Sequence, residues 1–457
     1  MIGRSGRTAV RTTGAATMQE ERAIPTADRE IDARITAPPS KSVTQRALVA
    51  AALAGGRSCL RNPLLADDSR HLLAALNAVG IPAAVTGPAE AARIEVDGQG
   101  GAIPASAAAL SVGNAGTAMR FLTAMLSTGR GSYLIDGDAR MQKRPIEDLL
   151  ATLRALGAAA ESVHGDGCPP VRVGGREPTG GAARLAGSKS SQYLSAILLA
   201  APAAASGVEV EIEGTLVSRP YVDLTIDVMA RFGVRVEQEP PGAPARRFRV
   251  LPRQRYAPRD YAIEGDYSSA SYFFAAAAIR GGRVEVTGLD PASRQGDARL
   301  LDLLEAMGCR ISRGDRAVAV EGTGELRGID ADLAGMPDVA PTLAAVALFA
   351  RGPTRIRGVP HLRLKETDRI AALVAEIRRL GGEANAEEDG LAIAPRSLRG
   401  ARVETYGDHR MAMAFAMVGL RLPGVVLRDP GCVSKSFPAF WTTFDRLTAG
   451  TKKPPRG

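Results

Sequence analysis

The stretch Ser111–Leu126, SVGNAGTAMRFLTAML, is a loop of small residues that leads into an apolar helix. Gly113, Ala115 and Gly116 have little or no side chain, so the backbone can approach a ligand closely. We expect Thr117 to cap this helix. A helix that is apolar on most sides is buried, and its free N–H groups attract negative charge.

The pattern of this stretch occurs six times along the chain. The other copies begin at Ser40, Gly187, Gly265, Gly335 and Tyr406, and each joins a polar or glycine-containing entry to an apolar helix. A short strand-like run follows each helix, at residues 59–60, 133–135, 208–212, 284–286, 354–356 and 425–427. A second, amphipathic helix, a glycine and two strands come next. The glycines recur about every 75 residues, at Gly80, Gly157, Gly233, Gly308 and Gly381.

Six units of this length favour two α/β domains of three units each, with the first helices buried and the sheets outside. The last unit lacks strands after its second helix, whereas residues 30–37 (EIDARITA) read as a strand without a unit. We therefore expect a continuous domain over 41–261 and a discontinuous one formed by 30–40 and 262–450. Two chain crossings would join them and leave a cleft with helix N-termini on both sides.

Composition bounds the class of protein. The chain has 457 residues, 45% of them apolar, which is enough for two cores. Its four cysteines lie far apart, so the sequence indicates neither a metal site nor disulfides and favours a reducing cytoplasm. The longest apolar run is too short for a membrane span.

The termini and the charge complete these bounds. Residues 1–29 have no apolar signal-peptide region and read as a disordered leader, and 451–457 read as a disordered tail. The net charge is +9, but the basic residues are spread out and no set of stacking aromatics accompanies them. We therefore expect no nucleic-acid partner.

Charged residues stand at the predicted helix starts. A lone Ser or Asp there is readily explained as a helix cap. Cations are different, because the helix dipole opposes positive charge in a first turn by ~0.3–1 kcal/mol each. We assign six cations to such positions: Lys41, Arg46, Arg120, Arg144, Arg369 and Arg410. If the repeats bring them together, they form a strongly positive cleft that suits a ligand with several phosphate and carboxylate groups.

The motifs SKSVTQRA, GNAGTAMR, RPI, SSQ, LVSRPY, LKETDRI, YGDHRMAM and DPGCVSKSFP resemble those of the 5-enolpyruvylshikimate-3-phosphate synthase family over residues 32–447. The resemblance implies two inside-out α/β domains, each of three βαβαββ units. It also implies transfer of the enolpyruvyl group of phosphoenolpyruvate to the 5-hydroxyl of shikimate 3-phosphate. Phosphate is released, and neither a cofactor nor a metal is needed.

The resemblance also implies the residues of the site. Those implied for shikimate 3-phosphate are Lys41, Ser42, Arg46, Ser190, Ser191, Gln192, Ser218, Tyr221, Asp338, His361 and Lys365. Those implied for phosphoenolpyruvate are Lys41, Asn114, Gly116, Thr117, Arg144, Gln192, Arg369, Arg410 and Lys435. Two positions depart from the family pattern: Phe121 stands where Pro is common, and His361 stands where some members have an Asn that touches shikimate phosphate.

The reaction needs a base for the 5-hydroxyl and an acid for the methylene carbon. Asp338 at a helix start is our candidate base, because the dipole keeps it ionised. Glu366 is our candidate acid, although Lys365 and a helix N-terminus favour its ionised form and only burial beside substrate anions would raise its pKa. Lys41 and Lys435 would stabilise charge on phosphate and could shuttle protons. His409 either takes part in proton transfer, orients its neighbours or packs in the core.

Two other functions compete with this one. A sister enzyme acts on UDP-N-acetylglucosamine with a cysteine-bearing loop, but no cysteine here lies in such a setting. A non-catalytic anion- or RNA-binding repeat protein would not need Asp338 and Glu366 among the cations. For the enzyme we expect a monomer whose domains start open and close on shikimate 3-phosphate. Because Gly116 occupies the position where the family admits glyphosate, we also expect sensitivity to this herbicide.

Overall fold

The computed structural model describes residues 20–88, 91–175, 178–241 and 244–449. Within these ranges, helices of two kinds alternate. The first kind is buried along nearly its whole surface: α1 (Lys41–Leu53), α3 (Gly116–Leu126), α5 (Ser191–Ala200), α7 (Tyr267–Arg280), α9 (Ala340–Ala347) and α11 (His409–Gly419). The second kind buries one face: α2 (Asp67–Ala78), α4 (Glu147–Ala155), α6 (Arg219–Arg231), α8 (Leu300–Ala306), α10 (Arg369–Arg379) and α12 (Phe440–Ala449).

The strands surround these helices. In chain order they are β1 (Glu21–Ala23), β2 (Ile31–Thr36), β3 (Gly55–Arg61), β4 (Ala83–Thr86), β5 (Arg93–Gln99), β6 (Ala107–Ser111), β7 (Ser132–Asp136), β8 (Ala160–Ser162), β9 (Val171–Gly174), β10 (Gly181–Ala186), β11 (Val208–Glu213), β12 (Glu237–Glu239), β13 (Arg247–Val250), β14 (Asp260–Ala262), β15 (Gly282–Thr287), β16 (Arg310–Gly314), β17 (Ala317–Gly322), β18 (Leu326–Arg327), β19 (Asp330–Asp332), β20 (Ala350–Arg351), β21 (Thr354–Arg357), β22 (Glu383–Ala386), β23 (Leu391–Ala394), β24 (Arg402–Val403) and β25 (Val426–Arg428). Each of the six runs predicted to follow a buried helix overlaps one of these strands.

One sheet plan recurs. In the order β6-β7-β9-β8, the first pair is parallel and the next two pairs are antiparallel. Four further sheets repeat it: β14-β3-β5-β4, β10-β11-β13-β12, β2-β15-β17-β16 and β19-β21-β23-β22. The last unit has a three-stranded sheet, β24-β25-β1, in which Glu21 pairs with Arg428. This recurrence matches the predicted repeat.

β1 corrects the interpretation of residues 1–29 as a disordered leader. Residues 1–19 lie outside the described residues, but Glu21–Ala23 forms a strand. Ile24 is buried, and its amide donates to the carbonyl of Val425. The error arose because three residues carry no readable alternation, and pairing to β25 decides their structure. The predicted tail, 451–457, lies outside the described residues.

Two strands change partners where the chain crosses between the halves. β2 precedes α1 in sequence, yet it pairs in parallel with β15, with Ile31 opposite Gly282. β14 precedes α7, yet it pairs with β3. Pro39 and Gly265, one on each crossing segment, form a bridge to each other. The first strands of the first and fourth units are therefore exchanged: β2 joins the sheet of β15, and β14 joins the sheet of β3.

The buried side chains form two separate cores. One runs from Val43 to Ile263. The other combines residues from Ile24 to Ala37 with residues from Tyr267 to Leu447. We call the first the central lobe and the second the split lobe. In both lobes the sheets lie outside buried helices. None of the described helices has the length and apolar character needed to cross a bilayer.

The five repeated glycines have one structural cause. Each lies two residues beyond the end of α2, α4, α6, α8 or α10, with φ between 84° and 111°. A left-handed residue at this position closes the helix C-terminus, and glycine adopts it without a Cβ penalty. The sequence period therefore marks the ends of the second helices.

Some helix-start predictions are wrong. Ala115, not Thr117, precedes α3, and no side chain caps that helix. Arg46 and Arg120 lie in the second turns of α1 and α3, and Arg144 follows a 3₁₀ turn ahead of α4. The prediction failed because α1 and α3 begin earlier than expected, at Lys41 and Gly116, which moves Arg46 and Arg120 into the second turn. Lys41, Arg369 and Arg410 do lie in first turns.

Candidate active site

Helix starts from both lobes converge on one cavity with about 620 Å³ of space free of protein atoms. The central lobe contributes the starts of α1, α3, α5 and α6, and the split lobe contributes those of α10 and α11. The lining residues are Lys41, Ser42, Arg46, Asp68, Gly116, Thr117, Arg144, Ser191, Gln192, Ser218, Tyr221, Asp338, Lys365, Glu366, Arg369, His409 and Arg410. Fifteen of the nineteen sequence-predicted site residues are among them.

The other four predicted residues lie just outside the lining. Asn114 accepts a hydrogen bond from Arg144 at 3.1 Å through its side chain and one from Lys435 at 2.5 Å through its carbonyl. Ser190 caps α5 by accepting from the amide of Gln192. His361 contacts the hydroxyl of Ser218 through Nε2 at 3.1 Å. These residues therefore support the wall of the cavity.

The cavity is positive, but less so than the sequence implied. Six cations line it, opposed by three carboxylates. Arg369 illustrates this pairing: its guanidinium donates to Asp408 at 2.7 Å, to Glu366 at 2.9 Å and to Asp338 at 3.2 Å. An excess of three positive charges remains for a ligand, which still favours a polyanion.

Asp68 is a site residue that the sequence analysis missed. Its carboxylate lies 3.1 Å from Nζ of Lys41 and 3.0 Å from Nζ of Lys435, so it joins the two lobes. Burial raises the pKa of Asp68, but these two ammonium groups outweigh burial and hold the pKa below its usual value. The pair Asp67–Asp68 at the start of α2 was readable, yet acidic residues there are ordinary helix-start residues.

Arg46 is more enclosed than predicted. It is 1% exposed, and it donates to the hydroxyl of Thr225 at 2.7 Å and to the carbonyls of Ser42 and Tyr221 at 2.9 and 3.0 Å. A guanidinium has five N–H groups, so two remain for a ligand. Arg120 does not line the cavity and instead donates to the carbonyls of Gly116 and Pro145.

Asp338 and Glu366 are both held in the ionised form. Burial raises the pKa of Asp338, but Arg410, at 2.7 Å, and Arg369 outweigh it and bring the pKa well below the usual range. Burial likewise opposes ionisation of Glu366, and Arg369 and Arg144 reverse the effect. A general base at Asp338 fits this state. A general acid at Glu366 requires a higher pKa, which the charge of nearby substrate anions would provide.

Two histidines and a lysine of the site have lowered pKa values. Burial and the charges of Lys41 and Arg410 hold the pKa of His409 well below its usual range, so the ring is neutral. Burial lowers the pKa of His361 to about 3. Burial also lowers the pKa of Lys365 to about 8, although Asp338 opposes that shift. Lys365 is therefore poised to change charge near neutral pH.

Gly116 shapes the floor of the cavity beside Arg144. A Cβ at Gly116 would lie 2.6 Å from Nη2 of Arg144, which is closer than unbonded atoms approach. Thr117, free of any capping role, accepts a hydrogen bond from Gln192 at 3.2 Å. The small residues of the stretch Ser111–Leu126 thus leave room for the guanidinium of Arg144.

Comparison with known proteins agrees with this geometry. The family model described as EPSP synthase (3-phosphoshikimate 1-carboxyvinyltransferase) matches residues 25–444. The 3-phosphoshikimate 1-carboxyvinyltransferase of Trichormus variabilis is 46% identical over 425 residues, which cover 93% of this chain and 98% of the relative. That of Methanoculleus marisnigri is 47% identical over 412 residues, covering 90% and 96%.

Solved structures resemble the chain as well. An EPSP synthase from Acinetobacter baumannii matches with a TM-score of 0.77 and 28% identity, over 93% of this chain and 98% of that one. The enolpyruvyl transferase NikO from Streptomyces tendae matches with a TM-score of 0.74 over 94% and 98%, and at 17% identity it supports the fold alone. The predicted inside-out α/β fold and the resemblance are thereby confirmed, and the chain belongs to the EPSP synthase family.

Proposed function

We propose that the cavity between the lobes transfers the enolpyruvyl group of phosphoenolpyruvate to the 5-hydroxyl of shikimate 3-phosphate and releases phosphate. One observation carries the proposal: the two candidate catalytic carboxylates, Asp338 and Glu366, face a cavity whose six cations come from both lobes. Both substrates carry a phosphate and a carboxylate, and the excess positive charge suits them. This activity belongs to the shikimate route to aromatic amino acids, as the names of the relatives imply.

We assign the residue roles as the family resemblance implies them. Lys41, Ser42, Arg46, Ser191, Ser218 and Tyr221 would hold shikimate 3-phosphate, with Ser190 and His361 behind them. Gly116, Arg144, Gln192, Arg369, Arg410 and Lys435 would hold phosphoenolpyruvate. Asp338, ionised between Arg369 and Arg410, would take the proton of the 5-hydroxyl. Lys41 would stabilise charge on phosphate.

Glu366 would deliver the proton to the methylene carbon. Its carboxylate lies 2.9 Å from Arg369 and about 4 Å from both Arg144 and Lys435. Anions of the two substrates would engage these cations and weaken their hold on the carboxylate. The pKa of Glu366 would then rise, so the group could take a proton and give it to carbon.

We further propose a monomer that works in the cytoplasm, without a nucleic-acid partner. Residues of one chain line the cavity from both sides, so no second copy is needed to complete it. The four cysteines are free. We also propose domain boundaries at the crossings, near residues 40 and 262. Light scattering on the purified chain would test the monomer, and a stable dimer would contradict it.

The deciding assay is phosphate release from phosphoenolpyruvate. We expect release with shikimate 3-phosphate and none with UDP-N-acetylglucosamine, measured on the same preparation. Asp338→Asn is a matched control because it keeps the shape of the side chain and removes the base. Release that requires the nucleotide sugar would overturn the assignment, and release in neither case would favour a non-catalytic binding protein.

A further inference from the structure

A buried carboxyl group behind the cavity has no role in the proposed reaction. Asp297 lies in a 3₁₀ turn (Gly296–Arg299), is 3% exposed and does not line the cavity. Its Oδ2 accepts a hydrogen bond from the hydroxyl of Ser268 and lies 3.3 Å from the hydroxyl of Tyr221. Its Oδ1 is buried and has no hydrogen-bond partner among the described residues.

Tyr221 stands between two carboxyl groups. Its hydroxyl lies 3.3 Å from Asp297 and 3.1 Å from Oδ2 of Asp338. A phenol carries one hydrogen and can donate it to one acceptor. If both carboxyl groups were ionised, one of these contacts would set two oxygens against each other with no hydrogen between them. One more proton must therefore reside in the chain of three groups.

The surroundings decide where that proton resides. Asp338 accepts from Arg410 at 2.7 Å and from Arg369 at 3.2 Å. For Asp297, in contrast, the described residues place no Lys, Arg or His nitrogen within salt-bridge distance. A buried carboxylate without a direct cation is costly, whereas a neutral carboxyl can leave one oxygen unpaired at lower cost.

We propose that Asp297 is a neutral carboxylic acid and acts as a positioning residue for Asp338. Asp297 donates its proton to the oxygen of Tyr221, and Tyr221 donates its own to Oδ2 of Asp338. The base is then held on three sides, by Tyr221, Arg369 and Arg410, and it faces the 5-hydroxyl of the substrate. This inference rests on the proposed role of Asp338.

The charged groups around Asp297 agree with this assignment. Burial and the negative charge of Asp338 raise the pKa of Asp297 to about 7, Asp266 at the start of α7 acts in the same sense, and Arg410 on α11 and the hydroxyl of Ser268 oppose the shift. Burial and the two carboxyl groups also hold the pKa of Tyr221 well above its usual value, so the phenol keeps its hydrogen.

Loss of the proton from Asp297 would reverse the hydrogen bonds that run from Asp297 through Tyr221 to Asp338. The phenol hydrogen of Tyr221 would turn to the new carboxylate, and Asp338 would lose one of its three donors. Loss of one hydrogen bond to a charged group corresponds to about a tenfold change. We therefore expect kcat/KM for shikimate 3-phosphate to fall at alkaline pH as Asp297 loses its proton.

Asp297→Asn tests this directly, because its amide can donate to Tyr221 at every pH and cannot titrate. We expect the ratio of wild-type to variant kcat/KM to fall about tenfold between pH 6 and pH 8.5. Use of the ratio cancels titrations that both proteins share, including that of Lys365. A ratio independent of pH would overturn the proposal, while phosphate release by the wild type would leave the proposed function standing.

Three further measurements separate positioning from mere packing. Ser268→Ala removes a donor that favours the ionised carboxylate of Asp297. In this variant, kcat/KM should therefore decline at a higher pH than in the wild type. Asp302→Asn is the matched control: its carboxylate is exposed and pairs with Arg313 on the surface, and the wild-type profile should persist. The infrared difference spectrum of the wild type between pH 6 and pH 8.5 should contain a carboxylic-acid band from the pH 6 sample. The spectrum of Asp297→Asn should lack this band. Absence of that band would overturn the assignment.

Discussion

One methyl group at Gly116 should alter the phosphoenolpyruvate site. A Cβ there would lie 2.6 Å from Arg144, so the guanidinium must shift and strain its bond to Asn114. Because the family resemblance puts glyphosate in this site, we expect Gly116→Ala to weaken its inhibition about tenfold or more, an effect in the range of a single methylene. KM for phosphoenolpyruvate should rise as well.

Inhibition constants against phosphoenolpyruvate, at saturating shikimate 3-phosphate, measure the effect. Gly431→Ala is the control, because no atom lies within 4 Å of a Cβ there. Unchanged inhibition of Gly116→Ala would contradict the placement of phosphoenolpyruvate beside Arg144.

Lys365 should bind a proton together with shikimate 3-phosphate. Burial lowers the pKa of its ammonium to about 8 in the unliganded site. A bound polyanion favours the charged form and raises that pKa, so between pH 8 and 9 binding takes up a proton and affinity falls as pH rises. Calorimetry in two buffers of different ionisation enthalpy measures the uptake. Lys365→Arg, which stays charged, should abolish it, and proton release on binding would contradict the prediction.

The sequence predicted the cations of the site better than its acids. Arg369 and Arg410 stand out because positive charge opposes the helix dipole, so a stability argument alone does not explain them. Asp68 and Asp297 carry no such signal, since an acid at a helix start is what stability favours. Their roles arise from partners more than 70 positions away, such as Lys435 and Tyr221.

The helices and sheets were predictable for a physical reason that does not extend to β1. A buried helix needs an apolar surface, which is readable in all six units, and its partner helix ends at a glycine with positive φ in five of them. β1 has three residues, and its structure depends on pairing with β25. Ile24, directly after it, packs against Gly419 of α11, where an added Cβ would lie 2.4 Å from Ile24.

Ile24 therefore distinguishes a folded segment from a disordered leader. Its side chain is 5% exposed, and truncation of a buried Ile to Ala costs about 2–5 kcal/mol. We expect Ile24→Ala to lower the free energy of unfolding by that amount in urea titrations. Arg402→Ala, which removes an exposed ion pair with Glu21 of β1, should cost no more than about 1 kcal/mol. Equal, negligible effects of both variants would restore the leader interpretation.

The two lobes meet across the cavity through many polar contacts, such as those of Lys435 with Asp68 and of Tyr221 with Asp338. The guanidinium of Arg140 in the central lobe donates twice to the carbonyl of Lys365 in the split lobe, at 2.6 and 3.2 Å. The amide of Ser218 donates to the carbonyl of Ala334 at 3.0 Å. The sequence predicted that helix starts face each other here. The sequence could not predict the distance between the lobes, because that distance depends on a balance between the repulsion of like charges and these contacts.

That balance sets the expected response of the whole molecule to substrate. The excess positive charge of the cavity opposes closure, and a bound phosphate and carboxylate would offset it. We expect shikimate 3-phosphate to reduce the radius of gyration measured by small-angle scattering. Arg140→Ala removes two closing hydrogen bonds to the backbone of Lys365 and leaves every side chain assigned to substrate in place, so it should need about tenfold more shikimate 3-phosphate to reach the same final radius. Arg172→Ala, which loses only an exposed pair with Glu161 within the central lobe, should respond like the wild type. A wild-type radius that stays constant through the titration would mean that the lobes already stand closed in solution, and that the cations are held together by Asp68, Asp338 and Glu366 rather than by the substrate.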